Sequence, residues 1–147
     1  KAIKHCALAL GAKVKIINLG GMLPMINNLN LSKIYKDNSE AIVGKENVKY
    51  KEHSGGSTDM GDVSHLIPSI HPYVTGASGS HHTHNFKIFD YNLTVITAAK
   101  AMIGTIVDLL YDDCRVANKI ISEYQPKLTK HEYLGIMDKL YSENIYE

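Results

Sequence analysis

Apolar positions in this chain recur first at helical spacing and then at strand spacing, and the alternation continues to its end. Ile3, Cys6, Ala7 and Leu10 fall on one helical face, with Gly11 where a C-terminal cap belongs. No capping side chain precedes them, and the chain opens on Lys1 as though already inside a helix. That start reads as a piece of a longer polypeptide. Lys13-Val14-Lys15-Ile16 alternates polar and apolar, as a half-buried strand does. Residues 18–30 are rich in turn formers (Gly20, Gly21, Pro24, Asn27, Asn28), yet Leu19, Met22, Leu23, Met25 and Ile26 call for burial. A crossing between two structural units is expected there. Asn30 is placed to cap a helix over 31–43, with Ile34, Tyr35, Asn38 and Ile42 on one side and Gly44 ending it.

Further along, Asp62 is placed to cap a single helical turn over 63–66, before Pro68. The apolar run 67–74 reads as a strand, and Pro72 puts it near an edge or a strand end. Asp90 opens the longest helix, through residue 111, with Leu93, Ile96, Ala99, Ile103, Ile106, Val107 and Leu110 as a broad apolar stripe. Val116, Ile120, Ile121 and Tyr124 mark another helix, stopped by Pro126. Thr129 and Glu132 have the spacing of a capping box, ahead of Tyr133, Ile136, Met137 and Leu140.

Composition adds little to this α/β pattern. The 147 residues are 44% hydrophobic and 21% charged, enough chain for one globular domain burying about two-thirds of its unfolded surface. Net charge is +1, so neither nucleic acid nor an anionic membrane surface is expected as a partner. No apolar stretch approaches the ~20 residues that span a bilayer, and there is no signal-peptide layout. Cys6 and Cys114 form no Cys-x-x-Cys pair and read as free or buried thiols in a reducing cytoplasm, with Cys6 on an apolar helix face.

The candidate chemistry lies between Gly56 and His84. Three of the eight histidines are His81, His82 and His84, in a loop rich in glycine and serine. Neutral imidazole suits zinc and similar borderline metals. In an extended segment His81 and His82 point in opposite directions, whereas His82 and His84 share a side. The bland alternative is a polar loop whose histidines are solvated. His71, between Ile70 and Pro72, reads as a satisfied, partly buried histidine, and His5, His53, His65 and His131 as structural or surface residues. Asp59 sits in the turn Gly-Gly-Ser-Thr-Asp-Met-Gly, where Ser57 and Thr58 can bond local backbone or a ligand. That turn lacks the lysine of a phosphate-binding loop and the spacing of a dinucleotide fingerprint. A hydrolytic metal centre needs three or more protein ligands and usually a carboxylate base, which this chain does not complete by itself.

The run Gly56-Ser57-Thr58-Asp59-Met60-Gly61-Asp62-Val63-Ser64, with Ile67-Pro68-Ser69-Ile70-His71-Pro72-Tyr73 after it, resembles the metal-dependent amidohydrolases of the aminoacylase and glutamate carboxypeptidase peptidase family. The closest branch contains aminobenzoyl-glutamate utilization protein B-like and dipeptidase-like members. Residues 19–48 and 97–110 are also similar to that family, and the likeness fades after Cys114. The resemblance implies residues 1–17 as the end of a lid or dimerisation domain. Residues 18–147 would be the second half of a catalytic domain, a mixed β-sheet flanked by helices.

The resemblance further implies two divalent metal ions, zinc first and manganese or cobalt as alternatives, with a metal-bound water attacking an amide carbonyl. Its last metal ligand is a histidine followed by a small hydroxyl residue and an aromatic four positions on. His82, Thr83 and Phe86 fit that pattern, so His82 is the implied ligand. By the same resemblance Ser57, Thr58 and Asp59 shape the substrate pocket, and His84 lines it or does nothing. The implied substrates are N-acyl amino acids, dipeptides or aminobenzoyl-glutamate-like amides. The implied enzyme is a cytoplasmic homodimer, and this chain alone is inactive because the remaining ligands and the general base lie elsewhere. The competing expectation is a non-enzymatic α/β binding or interaction module with a surface histidine loop.

Overall fold

The computed structural model describes residues 1–50 and 57–147; His53 and Gly56 lie outside the described residues. The elements in chain order are α1 (Ala2–Ala9), β1 (Val14–Asn18), α2 (Leu29–Val43), α3 (Asp59–Ser64), β2 (Ala77–Ser78), β3 (Lys87–Ile88), α4 (Ala98–Glu123), α5 (Lys130–Leu140) and β4 (Ser142–Tyr146). A π-helical turn, Asn92–Thr97, leads into α4. This is an α/β chain. Its strands pair as two antiparallel ribbons, where a mixed sheet was expected.

Helix boundaries follow from which side chain reaches the free N–H groups of the first turn. Asn28, not Asn30, caps α2, its side chain accepting the Leu31 N–H at 2.9 Å, and Gly44 ends the helix at φ 85°. Asp90 caps the next helical run as expected, accepting the Leu93 N–H at 2.9 Å. Thr129 and Glu132 form the anticipated capping box at the start of α5. The Thr129 N–H and hydroxyl both donate to the Glu132 carboxylate at 2.8 Å. Those bonds, backbone first, hold the Glu132 carboxyl below its ordinary value of 4.5. A depressed carboxyl stabilises the fold above the unfolded pKa and stops doing so as pH falls through the folded one. The helical circular-dichroism signal should therefore drop in an acid step below about pH 4.5, and Thr129→Val should shrink that step.

The helices α2 and α4 pack together. Asn38 Nδ2 donates to Asp108 Oδ2 at 2.6 Å, and Gly104 admits the Asn38 side chain beside it. Ala101, Thr105 and Ile120 are buried on α4, the Thr105 hydroxyl donating to the Ala101 carbonyl. The opposite face, including Met102, Ile103, Ile106, Val107 and Leu110, is exposed. This corrects the expectation that no apolar stretch is long enough for a bilayer. By length and composition alone, the helical run Asn92–Glu123 is long and apolar enough to cross one, with a mean hydropathy of 1.7 over its most apolar stretch, little of which is buried. Lys100 and Asp108 lie within the helical run, and its backbone breaks at Tyr111, Asp112, Asp113 and Cys114. The last three adopt left-handed angles (φ 52–59°), at a cost of about 1–2 kcal/mol for each such residue.

The first and last strands meet across the whole chain. Val14 pairs with Tyr146 and Asn18 with Ser142, with Lys15–Glu143 and Lys13–Glu147 ion pairs flanking the ladder. Lys4 lies over the Tyr146 ring, 3.8 Å from its centroid. The α1 stripe is not a buried one: Ile3, Cys6 and Leu10 are all exposed, and both cysteines are free thiols. In the crossing over 18–28, Leu23, Met25 and Ile26 are half-buried, but Leu19 and Met22 are exposed.

Candidate functional site

The segment carrying Ser57, Thr58 and Asp59 is held by the helical turn that follows it. Thr58 stands at the N-cap position of α3, four residues earlier than the Asp62 cap expected from sequence. Asp62 is used differently. Its Oδ1 accepts the Leu23 N–H at 2.7 Å, tying α3 to the crossing segment. Ser64, fully buried, accepts the Ile26 N–H at 3.0 Å and donates to the Gly61 carbonyl at 2.6 Å. Gly61 lies flat against the backbone of Leu23 and Pro24, where a Cβ would collide with the Leu23 carbonyl. Three bonds from the far side complete the mount. The Tyr124 hydroxyl donates to the Ser64 carbonyl at 2.6 Å, and the Lys127 and Leu128 N–H groups donate to the His65 carbonyl. Burial raises the Tyr124 phenol above its ordinary pKa. Tyr124→Phe keeps the ring and removes the bond, so urea denaturation should show a loss of about 0.5–1.5 kcal/mol.

Residues 67–74 do not form the expected strand. Pro68 and Pro72 supply no N–H, and the Ile67 N–H donates back to the Val63 carbonyl instead of to a ladder. The Ser69 carbonyl accepts the Asn28 N–H at 2.9 Å, and the His71 N–H donates to Asn27 Oδ1 at 3.3 Å. His71 is satisfied and partly buried, as its sequence context indicates: Nδ1 lies 3.2 Å from Thr58 Oγ1, and its ring packs against Tyr73. The His65 ring reaches the Gly61 carbonyl at 2.9 Å, a structural role. Thr58 is therefore half-buried and tethered, while Ser57 and Asp59 on either side are exposed.

His81, His82 and His84 occupy the tip of a hairpin whose arms are β2 and β3, paired through Ala77–Ile88 and Ser78–Lys87. The tip is a tight turn, not an extended segment, so the period-two argument for His82 and His84 does not apply. Gly79 (φ 90°) closes it against the Asn85 carbonyl, where no side chain fits. The Thr83 hydroxyl donates to the Ser80 carbonyl at 2.6 Å and contacts Asn85 Oδ1. His82 takes a left-handed φ of 62°, which histidine tolerates better than most residues. His81 stacks on Phe86 with centroids 5.0 Å apart, which occupies its ring face. All three histidines are exposed.

As a donor set this loop fits one contribution to a metal ion, not a closed site. Among the described residues no group of three or more His, Cys, Asp or Glu side chains converges as metal ligands would. Nor does any hydrogen bond among the described residues join the histidine tip to the Ser57-Thr58-Asp59 turn. The structure brings Thr58 together with His71, thirteen positions away, a pairing that no periodic pattern announces.

The chain is similar to the human Xaa-Arg dipeptidase: 27% identical over 146 residues, covering 92% of this chain and 33% of that protein. It thus spans about a third of that relative's length. No family model matches, and no solved structure matches. This similarity supports a peptidase-like hydrolase.

Proposed function

We propose that the chain is the C-terminal portion of a metal-dependent amidohydrolase acting on dipeptides or similarly small amides. The observation that supports it is the likeness to a dipeptidase along 92% of the chain. In this reading His82 donates one imidazole to a pair of divalent ions, zinc foremost. Bound ions would supply a water acidic enough to deprotonate near neutral pH. The chain's own residues do the rest of what it can do. The hairpin tip presents the His82 ring to the ion, and the tethered Thr58 hydroxyl and the exposed Ser57 and Asp59 side chains meet the substrate. His84, exposed on the same tip, borders the pocket. Residues 1–17 belong to a lid or dimerisation domain, residues 18–147 to the catalytic domain, and the complete enzyme is a homodimer. Two free thiols support a reducing, cytoplasmic setting.

By itself the chain is inactive in this reading, because one or two imidazoles do not enclose an ion. The test is hydrolysis of a dipeptide panel by the complete polypeptide, before and after dialysis against a chelator and again after adding zinc. Activity that disappears and returns is the expected result, and a metal-independent or absent activity would sink the reading. One observation favours the alternative, a non-enzymatic binding module. The exposed histidines have no converging third donor among the described residues. Amidase activity of the complete polypeptide decides against that alternative.

A further inference from the structure

Thr58 and His71 meet through a single polar contact, Oγ1 to Nδ1 at 3.2 Å, in a partly buried setting. The residue is held at two further points, one on its backbone and one on its ring. Its backbone N–H donates to Asn27 Oδ1, and the Tyr73 ring lies 5.1 Å away, centroid to centroid, at 30°. The neighbouring Ser69 is buried, and its carbonyl accepts the Asn28 N–H. With the ring held by Thr58 on Nδ1 and by Tyr73 on its face, the direction of the contact turns on which nitrogen carries the proton.

We propose that His71 is a positioning residue for Thr58: its Nδ1–H donates to Thr58 Oγ1, and the hydroxyl proton is turned outward to a substrate carbonyl oxygen. This role rests on the peptidase reading above and deepens it. A hydroxyl has one proton and two acceptor lone pairs. If its proton went to Nδ1, only lone pairs would be left to face a substrate oxygen. When a lone pair accepts from Nδ1–H, the proton remains available, and donors linked in series polarise one another. The exposed Asp59 beside it disfavours a carboxylate at this point, so the partner is a neutral amide or peptide carbonyl.

The side-chain amide N–H of asparagine lies close to where Nδ1–H lies, whereas that of glutamine mimics Nε2. In the complete polypeptide, His71→Asn should therefore keep the KM for a dipeptide within about twofold. His71→Gln and His71→Ala should raise it about 3–10-fold, the range of one lost neutral hydrogen bond, with kcat nearly unchanged. Nitrogen-15 histidine spectra should show His71 as the Nδ1–H tautomer, reverting to Nε2–H in Thr58→Val. An Nε2–H tautomer in the parent protein, or equal KM values for the Asn, Gln and Ala variants, overturns the assignment. Absence of any dipeptide hydrolysis by the parent protein overturns the peptidase reading and this role with it. Hydrolysis with KM unchanged in His71→Ala overturns the role alone.

Discussion

Gly61→Ala should be strongly destabilising, whereas Gly135→Ala should be neutral or stabilising. The two glycines differ in what surrounds them. A Cβ on Gly61 would enter the space of the Leu23 carbonyl, with the Pro24 carbonyl carbon only 3.3 Å away, and a backbone obstacle cannot swing aside as a side-chain tip can. Forcing a methyl into such a contact costs about 1–3 kcal/mol. If the crossing segment lifts to make room, the Ile26 N–H and the Leu23 N–H lose Ser64 and Asp62 as acceptors. An unsatisfied buried group adds about 1–3 kcal/mol more. Gly135 lies in α5 with nothing within 4 Å of the added carbon, so alanine there gains helix propensity of about 1 kcal/mol. Urea denaturation of the pair should move the midpoint in opposite directions. Equal shifts would mean that α3 does not sit on the crossing as described.

Removing the imidazole at position 82 should abolish most dipeptide hydrolysis by the complete polypeptide. The loss should exceed the ~10–100-fold seen when an outer-shell partner of a metal ligand is removed. Alanine alone is an ambiguous probe, because the left-handed backbone at His82 disfavours it. Asparagine tolerates that conformation and removes the ring, so His82→Asn separates ligation from turn geometry. His81→Asn serves as the comparison, since the His81 ring is stacked on Phe86 and is not expected to bind an ion. A large loss in His82→Asn with little change in His81→Asn is the expected outcome. The reverse order would transfer the role to His81.

The sequence was legible where the determining interaction is local. The capping box of α5 needs only Thr129 and Glu132, three positions apart, and formed as anticipated. The Gly44 stop of α2 and the Asp90 cap are equally local. Long-range pairing was not legible. The partner of β1 is 128 or more positions away for Val14, Lys15 and Ile16, and nothing in 142–146 names it. The run 67–74 misled because apolar content suggested a strand, while Pro68 and Pro72 withdrew the donors a ladder needs. The left-handed residues at Asp112, Asp113 and Cys114 carry no glycine to signal them. At the candidate site, the histidine loop and the Ser57-Thr58-Asp59 turn stood out by composition. The turn geometry of the tip and the Thr58–His71 contact came only with the fold.

The most direct measurement is the metal content of the complete polypeptide, purified in zinc and desalted, for the parent protein and for His82→Asn. Retention of two ions per parent chain, with about one lost on substitution, is the predicted result. A His82→Asn protein that keeps its full complement, with unchanged affinity, would remove this histidine from the metal centre and the account with it.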